Sequence, residues 1–359
     1  MWLYILNVIT IIIYAFLIKD KKKFVILVAI QLFLMLALRD VTMGVDMDNY
    51  MGGYNYISKM DFGGLMSSLK PSGVSELVYP YYYENGYTIL NWIASHIGIG
   101  FHGLLVICAG INIASVSYFI YKYSKNPWFS FVIFCTFGFF IYDFGILRQS
   151  LALSMVIWAY VLADRRKLFF TILSFLLALS FHRAAIIALP ILGLLYFRVK
   201  LITKKGLLYL LIFTIPIIVF SNFIYGNIIA NVMSAMDKLY IAHENGLNKR
   251  IFLLFGMAIF MLFTYDFSKI KTKIDSVSCY ALMFSLYFSI FGLHNEALNR
   301  ASQFLSIFLV ILVPNVLDQY RGQKSKLLIE LSISLLLMVY MCSNLEDSVI
   351  VPYVLYQGG

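Results

Sequence analysis

Residues 128–163 read WFSFVIFCTFGFFIYDFGILRQSLALSMVIWAYVLA: two apolar runs whose only charged side chains, Asp143 and Arg148, stand together at the corner between them. Helices of such length approach the roughly 30 Å of a bilayer's hydrocarbon core, and charges gathered at the corner belong at its surface. The pattern recurs along all 359 residues. Apolar segments at 2–18, 24–38, 103–121, 128–142, 146–163, 168–181, 184–197, 206–222, 251–265, 277–293, 301–317 and 327–342 predict about twelve spans. Composition agrees, at 61% hydrophobic and 13% charged residues, with a mean hydropathy of +0.84. The expectation is an all-α polytopic integral membrane protein, a single transmembrane domain over 1–359 with no soluble catalytic domain.

A thirteenth apolar segment, 86–98, reads as a re-entrant or interfacial half-helix, because its rise of about 20 Å falls short of a crossing. Charge fixes the orientation. Lys19 to Lys23, Lys122 and Lys125, Arg165 to Lys167, Arg198 to Lys205, Lys269 to Lys273 and Arg321 to Lys326 share one side only in the twelve-span arrangement, and that side is cytoplasmic. The first span precedes its basic cluster, so it reads as a retained anchor, the reverse of a cleavable signal. The net charge of +10 therefore orients helices and forms no nucleic-acid face. Cys108, Cys135, Cys279 and Cys342 lack metal spacing and read as small core residues. Two long segments fall outside, 39–102 and 223–250, with short corners at 143–149, 182–183 and 294–300, so the outer face is where the protein is expected to work.

Four places there carry candidate chemistry. Arg148-Gln149 offers a guanidinium fork for phosphate oxygens, or a side chain that snorkels. Ser180-Phe181-His182-Arg183 offers an imidazole base beside an arginine, or a capped helix hairpin. His294 to Arg300 holds Glu296, Asn299 and Arg300, a second phosphate clamp or an i,i+4 ion pair. In the first outer segment Arg39 ends a span, Asp46 and Asp48 form D-x-D before Tyr50, and Tyr79 to Tyr87 carries Glu84. D-x-D suits a divalent ion on a sugar diphosphate, or a helix N-cap. The tyrosines form an interfacial belt or a surface for sugar rings.

Together G-x-D-x-D-x-Y (Gly44, Asp46, Tyr50), Y-x-E-x-G-Y (Glu84, Gly86, Tyr87), R-Q-x-L-A (Arg148, Gln149, Leu151, Ala152), F-H (Phe181, His182) and N-R (Asn299, Arg300) resemble the EpsG-like branch of Wzy-type bacterial polysaccharide polymerases. The resemblance implies a membrane glycosyltransferase that joins undecaprenyl-pyrophosphate-linked oligosaccharide repeat units of O-antigen or capsule on the periplasmic face of the bacterial inner membrane. A flippase and a chain-length regulator of the same pathway are implied as partners, and nucleic acid is not. On that reading His182 accepts the acceptor's proton, Arg148 and Arg300 hold the diphosphate, and Arg183, Arg39, Asp46, Asp48, Tyr50, Glu84, Tyr87, Gln149, Glu296 and Asn299 contact substrate. The guanidinium forks take the place of a metal, and no cofactor is expected. The alternatives are a lipid-linked oligosaccharide flippase, which needs a polar path open to both sides, and a membrane sugar acyltransferase using His182.

Overall fold

The computed structural model describes residues 1–78, 80–197, 201–229, 249–270, 272–320, 322–345 and 348–358. Tyr79 and most of 223–250, the segment expected to form a second outer loop, lie outside the described residues, the latter at 230–248. Among those described the fold is all-helical, and the only strand-like pairings are two isolated bridges, Arg39 with Leu355 and Val74 with Glu84.

Helices α1 (Trp2–Leu17) and α2 (Lys21–Ala37) open the chain. The stretch 39–102 folds into α3 (Met47–Ile57), α4 (Phe62–Ser68) and α5 (Asn85–His96) before the next long helix begins. Next come α6 (Phe101–Tyr123), α7 (Pro127–Thr136), α8 (Phe139–Gly145), α9 (Leu147–Asp164) and α10 (Leu168–Phe181). A 3-10 turn, Arg183–Ala188, leads into α11 (Leu189–Tyr196), and α12 (Lys204–Ile224) follows. The C-terminal third is α13 (Lys249–Thr264), α14 (Lys273–Phe291), α15 (Glu296–Ala301), α16 (Gln303–Ser306), α17 (Leu309–Leu317) and α18 (Gln323–Leu345).

All twelve apolar segments are helical, but the count of about twelve spans is not supported. Among the described residues four helices are long and apolar enough to cross, or up to six if each bent pair is one span. Two physical reasons account for the difference. Some helices are short: α1 has 16 residues and α10 has 14, about 24 and 21 Å of rise. Others break: α7 and α8 meet at 49°, and the 297–306 and 309–317 helices at 45°. The first break sits at Gly138, whose φ of +105° is open to glycine at little cost.

The broken helices form the centre. Every residue of α17, and every residue of α7 from Phe129 to Thr136, is buried, and α7 packs on α1, α17 and α18. The long helices α12 and α18 lie outside, with only 28% and 22% of their apolar windows buried, as suits faces turned to lipid. The basic corners meet at one end: Lys21 donates to the Ser124 carbonyl, Tyr123 to Asp164, Arg165 to the Tyr118 hydroxyl, and Asn126 to Glu330. Elsewhere the C-terminal tail runs beside residues 38–43, where the Asp40 N–H donates to the Val354 carbonyl and the Tyr356 N–H to the Leu38 carbonyl. All four cysteines are free, three of them buried.

Candidate functional site

Glu84 begins as a local matter. It precedes α5 in extended conformation, and its side chain makes no capping bond to that helix. The backbone around it is pinned: the Ser75 N–H donates to the Tyr83 carbonyl at 2.8 Å, and the Asn85 N–H to the Gly73 carbonyl at 2.9 Å. A carboxylate relieved of capping and held on a fixed backbone is free to serve other partners.

Those partners come from two remote corners. Arg148, in the first turn of α9, donates through Nη1 to Glu84 Oε2 at 2.7 Å and to the Tyr82 carbonyl at 3.1 Å. At the end of α10 the chain leaves the helix at His182, so that His182 Nδ1 lies 2.9 Å from Glu84 Oε1 and the Arg183 N–H donates to the same oxygen at 3.3 Å. One carboxylate thus gathers an arginine, an imidazole and a backbone amide. Glycine makes the approach possible: a Cβ at Gly86 would stand 2.3 Å from Ser180 Oγ and 2.7 Å from the Ser180 carbonyl oxygen. The glycine of Y-x-E-x-G-Y is what lets α5 meet the end of α10.

Burial and charge act on Glu84 in opposite directions. Burial raises its carboxyl, while the Arg148 guanidinium and then the His182 hydrogen bond lower it by more, to about 2. It is therefore a fixed anion that orients its neighbours and does not exchange protons near neutrality. With Nδ1 committed to Glu84, Nε2 is the imidazole nitrogen left to accept a proton.

Beneath Arg148 lie Tyr83 and Tyr50, with ring centroids 5.2 and 5.9 Å from its guanidinium carbon. Tyr50 and Tyr87 are 2% and 0% exposed, and the three rings pack on one another at 5.2 to 6.0 Å. Tyr50 and Tyr87, both expected to meet substrate, lie in the small core between α3 and α5, where their rings shelve the arginine. Burial raises the Tyr50 and Tyr83 phenols, so both stay neutral.

Asp46, half-buried before α3, makes no capping bond, and Asp48 is exposed in the first helical turn. The preceding Gly44, at φ +137°, lies so close to the Phe144 carbonyl that a Cβ would stand 2.3 Å from it. The D-x-D stretch is thereby docked on the corner that leads to Arg148. Arg39, also expected to contact substrate, is 1% exposed and donates to the Asp143 carbonyl at 2.9 Å, over the Phe144 ring and apart from the contacts made by Glu84.

The last corner is tied in through Gln149, whose Nε2 donates to the Arg300 carbonyl at 2.7 Å and to Gln303 Oε1 at 3.2 Å. Arg300 ends α15, which packs against the 3-10 turn that follows His182. Asn299 is buried. The Glu296 side chain lies outside what the structure describes.

A cavity of about 760 Å³ opens beside the cluster, with Ser72, Asn85, Ser180 and Arg183 among its lining residues. The Arg183 guanidinium reaches across to the Ser72 carbonyl. Sequence reasoning placed Tyr83 only within the tyrosine run before Glu84, and it did not single out Gln303 or the 71–73 loop. Only the placement of Tyr83 beside Glu84 and of Gln303 one helical turn beyond Arg300 signalled the first two, and nothing signalled the loop.

Remote polar corners of a helical membrane protein thus converge on one buried carboxylate beside a cavity. The chain belongs to the EpsG family, whose model matches residues 22–355. No curated protein and no solved structure matches it.

Proposed function

We propose that the protein is a polysaccharide polymerase, a glycosyltransferase that joins oligosaccharide repeat units carried on undecaprenyl pyrophosphate at the periplasmic face of the bacterial inner membrane. Membership of the EpsG family supports a role in polysaccharide polymerisation. The observation that carries the reading further is the convergence on Glu84 of Arg148, His182 and the Arg183 amide, a hydrogen-bonded acid–imidazole pair flanked by guanidinium groups.

Transfer from a diphosphate requires a proton to leave a weakly nucleophilic hydroxyl and negative charge to be stabilised on the leaving group. Held through Nδ1, His182 takes the acceptor's proton on Nε2. The acceptor oxygen then bonds the donor's anomeric carbon as that carbon's bond to the diphosphate breaks, and the diphosphate departs with the electron pair. Arg148 and Arg183 on either side of Glu84, and Arg300 from the neighbouring corner, receive that charge. The substrate lipid, the outer-face placement and association with a flippase or chain-length regulator are parts of the same proposal.

The test uses purified enzyme in detergent with purified lipid-linked repeat units, where no translocation is needed and a flippase would do nothing. Wild type is expected to build long chains, and His182→Ala to lower the rate by about 100-fold or more at equal protein. Wild-type rates in the variant, or no elongation by wild type, would overturn the assignment.

A further inference from the structure

Gln149 is the covalent neighbour of one arginine and the hydrogen-bond partner of another. It is 3% exposed, and its amide nitrogen donates both to the Arg300 carbonyl and to Gln303 Oε1. Chemistry fixes the direction of that amide: a carbonyl only accepts, so Nε2 must face Arg300, and the Gln303 group turned toward it must be the oxygen. Arg300 stands in the last turn of α15, where carbonyls take donors from outside the helix. About three turns further along α9, on the same face, the Tyr160 hydroxyl donates to the Phe304 carbonyl at 2.7 Å. Ser289 of α14 joins Ser302 at 3.2 Å. These contacts hold α15 and α16 in place without Gln149, whose bonds add the link to the turn that carries Arg148.

We infer that Gln149 is a positioning residue, which sets the spacing between Arg148 and Arg300 so that both serve one diphosphate. The inference rests on the proposed polymerase reading, in which those two arginines receive the leaving diphosphate. Guanidinium groups on separate helices share a ligand only if their backbones keep a fixed separation, and a displacement of about 1 Å is enough to lose most of the benefit. The backbone of Gln149 follows Arg148 directly and its side chain grips the backbone of Arg300, so a single buried amide sets that separation.

The test reads anion binding apart from catalysis. Inorganic pyrophosphate and inorganic phosphate are titrated by calorimetry into detergent-purified wild type, Gln149→Met and Gln303→Met, and elongation of lipid-linked units is measured on the same samples. Methionine keeps the length of the side chain and removes its hydrogen-bonding amide. Wild type is expected to bind pyrophosphate more tightly than phosphate. Gln149→Met should weaken pyrophosphate by about tenfold or more and phosphate by less than about twofold, because one arginine still serves one phosphate. Gln303→Met spares the bond to the Arg300 carbonyl and should weaken pyrophosphate by about threefold. Equal weakening of both anions in either variant, unchanged pyrophosphate binding in Gln149→Met, or no preference for pyrophosphate in wild type overturns the inference. Where Gln149→Met does not fold, Gln303→Met decides by the same ratio. If Gln149→Met loses its preference for pyrophosphate while wild type elongates nothing, the positioning role stands and the polymerase reading falls. If wild type elongates and Gln149→Met matches its rate, the polymerase reading stands and the positioning role falls.

Discussion

Arg148 and Arg39 each stand at a corner beside an apolar segment, and the sequence offers no reason to treat them differently, yet the structure holds them in opposite ways. Arg148 is held by a side-chain carboxylate and keeps 26% of its side chain exposed. Arg39 is held by a main-chain carbonyl at the last turn of α8, is 1% exposed, and is walled in by Phe144 and the C-terminal tail. A cation at a helix C-terminus is favoured by the helix dipole and satisfies a carbonyl that the helix cannot. Burial pulls Arg39 down to about 10, which leaves it charged at neutral pH. The difference teaches that an arginine's partner, and not its residue type, decides whether the guanidinium is sealed into the core or kept at its edge.

The largest effect that tests this contrast is expected from Glu84→Gln. Losing the anion leaves Arg148 and His182 without their common partner, and removing one member of a buried pair costs about 3 kcal/mol or more. Chain elongation should fall by about 100-fold or more, since both the imidazole and the guanidinium lose their orientation. The pH dependence has a defined sign. The carboxyl's folded value, about 2, lies below its ordinary 4.5, so its stabilisation is complete above about pH 4.5 and is lost as pH falls toward 2. Thermal unfolding of detergent-purified protein between pH 5 and 2.5 should show wild type losing stability faster than Glu84→Gln. Parallel curves would mean that the carboxylate is not ion-paired as described.

Arg39→Met probes the other side of the comparison. It leaves the Asp143 carbonyl unsatisfied in a buried setting, at a cost of about 2 kcal/mol. Membrane abundance and melting temperature should fall, while elongation per folded molecule stays within about threefold of wild type. A variant of normal abundance that no longer elongates would return Arg39 to the chemical site.

How far this contrast was legible beforehand follows from what each residue contacts. Arg148, His182 and Glu84 could be singled out because charge at the mouth of an apolar helix demands an explanation. That Glu84 joins the other two could not be read, because their pairing depends on α5 meeting α10 through Gly86, a contact between segments remote in sequence. The partner of Arg39 could not be read for the same reason, since it is a backbone carbonyl and every residue type has one. The helical class was plain from hydropathy, but the number of crossings was not. Apolarity sets where a chain prefers to lie, and says little of whether it breaks at Gly138 or near Ile307 once packed. The pairing of the C-terminal tail with residues 38–43 had no pattern to announce it.

The smallest effect is expected at Asp48, and it bears on whether arginine or a carboxylate-held metal receives the diphosphate. Asp46 lies near enough to Tyr50 and Tyr83 to act on both phenols, whereas Asp48 is exposed on the first turn of α3. An acidic residue there gains from the helix N-terminus, worth about 0.5 kcal/mol at an exposed site. A divalent ion bound through D-x-D needs further oxygen or nitrogen donors, and among the described residues no three of His, Cys, Asp and Glu stand close enough to supply them. Asp48→Asn should therefore elongate chains within about twofold of wild type, with stability changed by about 0.5 kcal/mol or less. If Asp48→Asn instead abolishes elongation at normal abundance, and added Mg²⁺ or Mn²⁺ partly restores it, the carboxylates hold a metal on the diphosphate. Arg148 would then be a scaffold for Glu84, closer in kind to Arg39 than its exposure suggests.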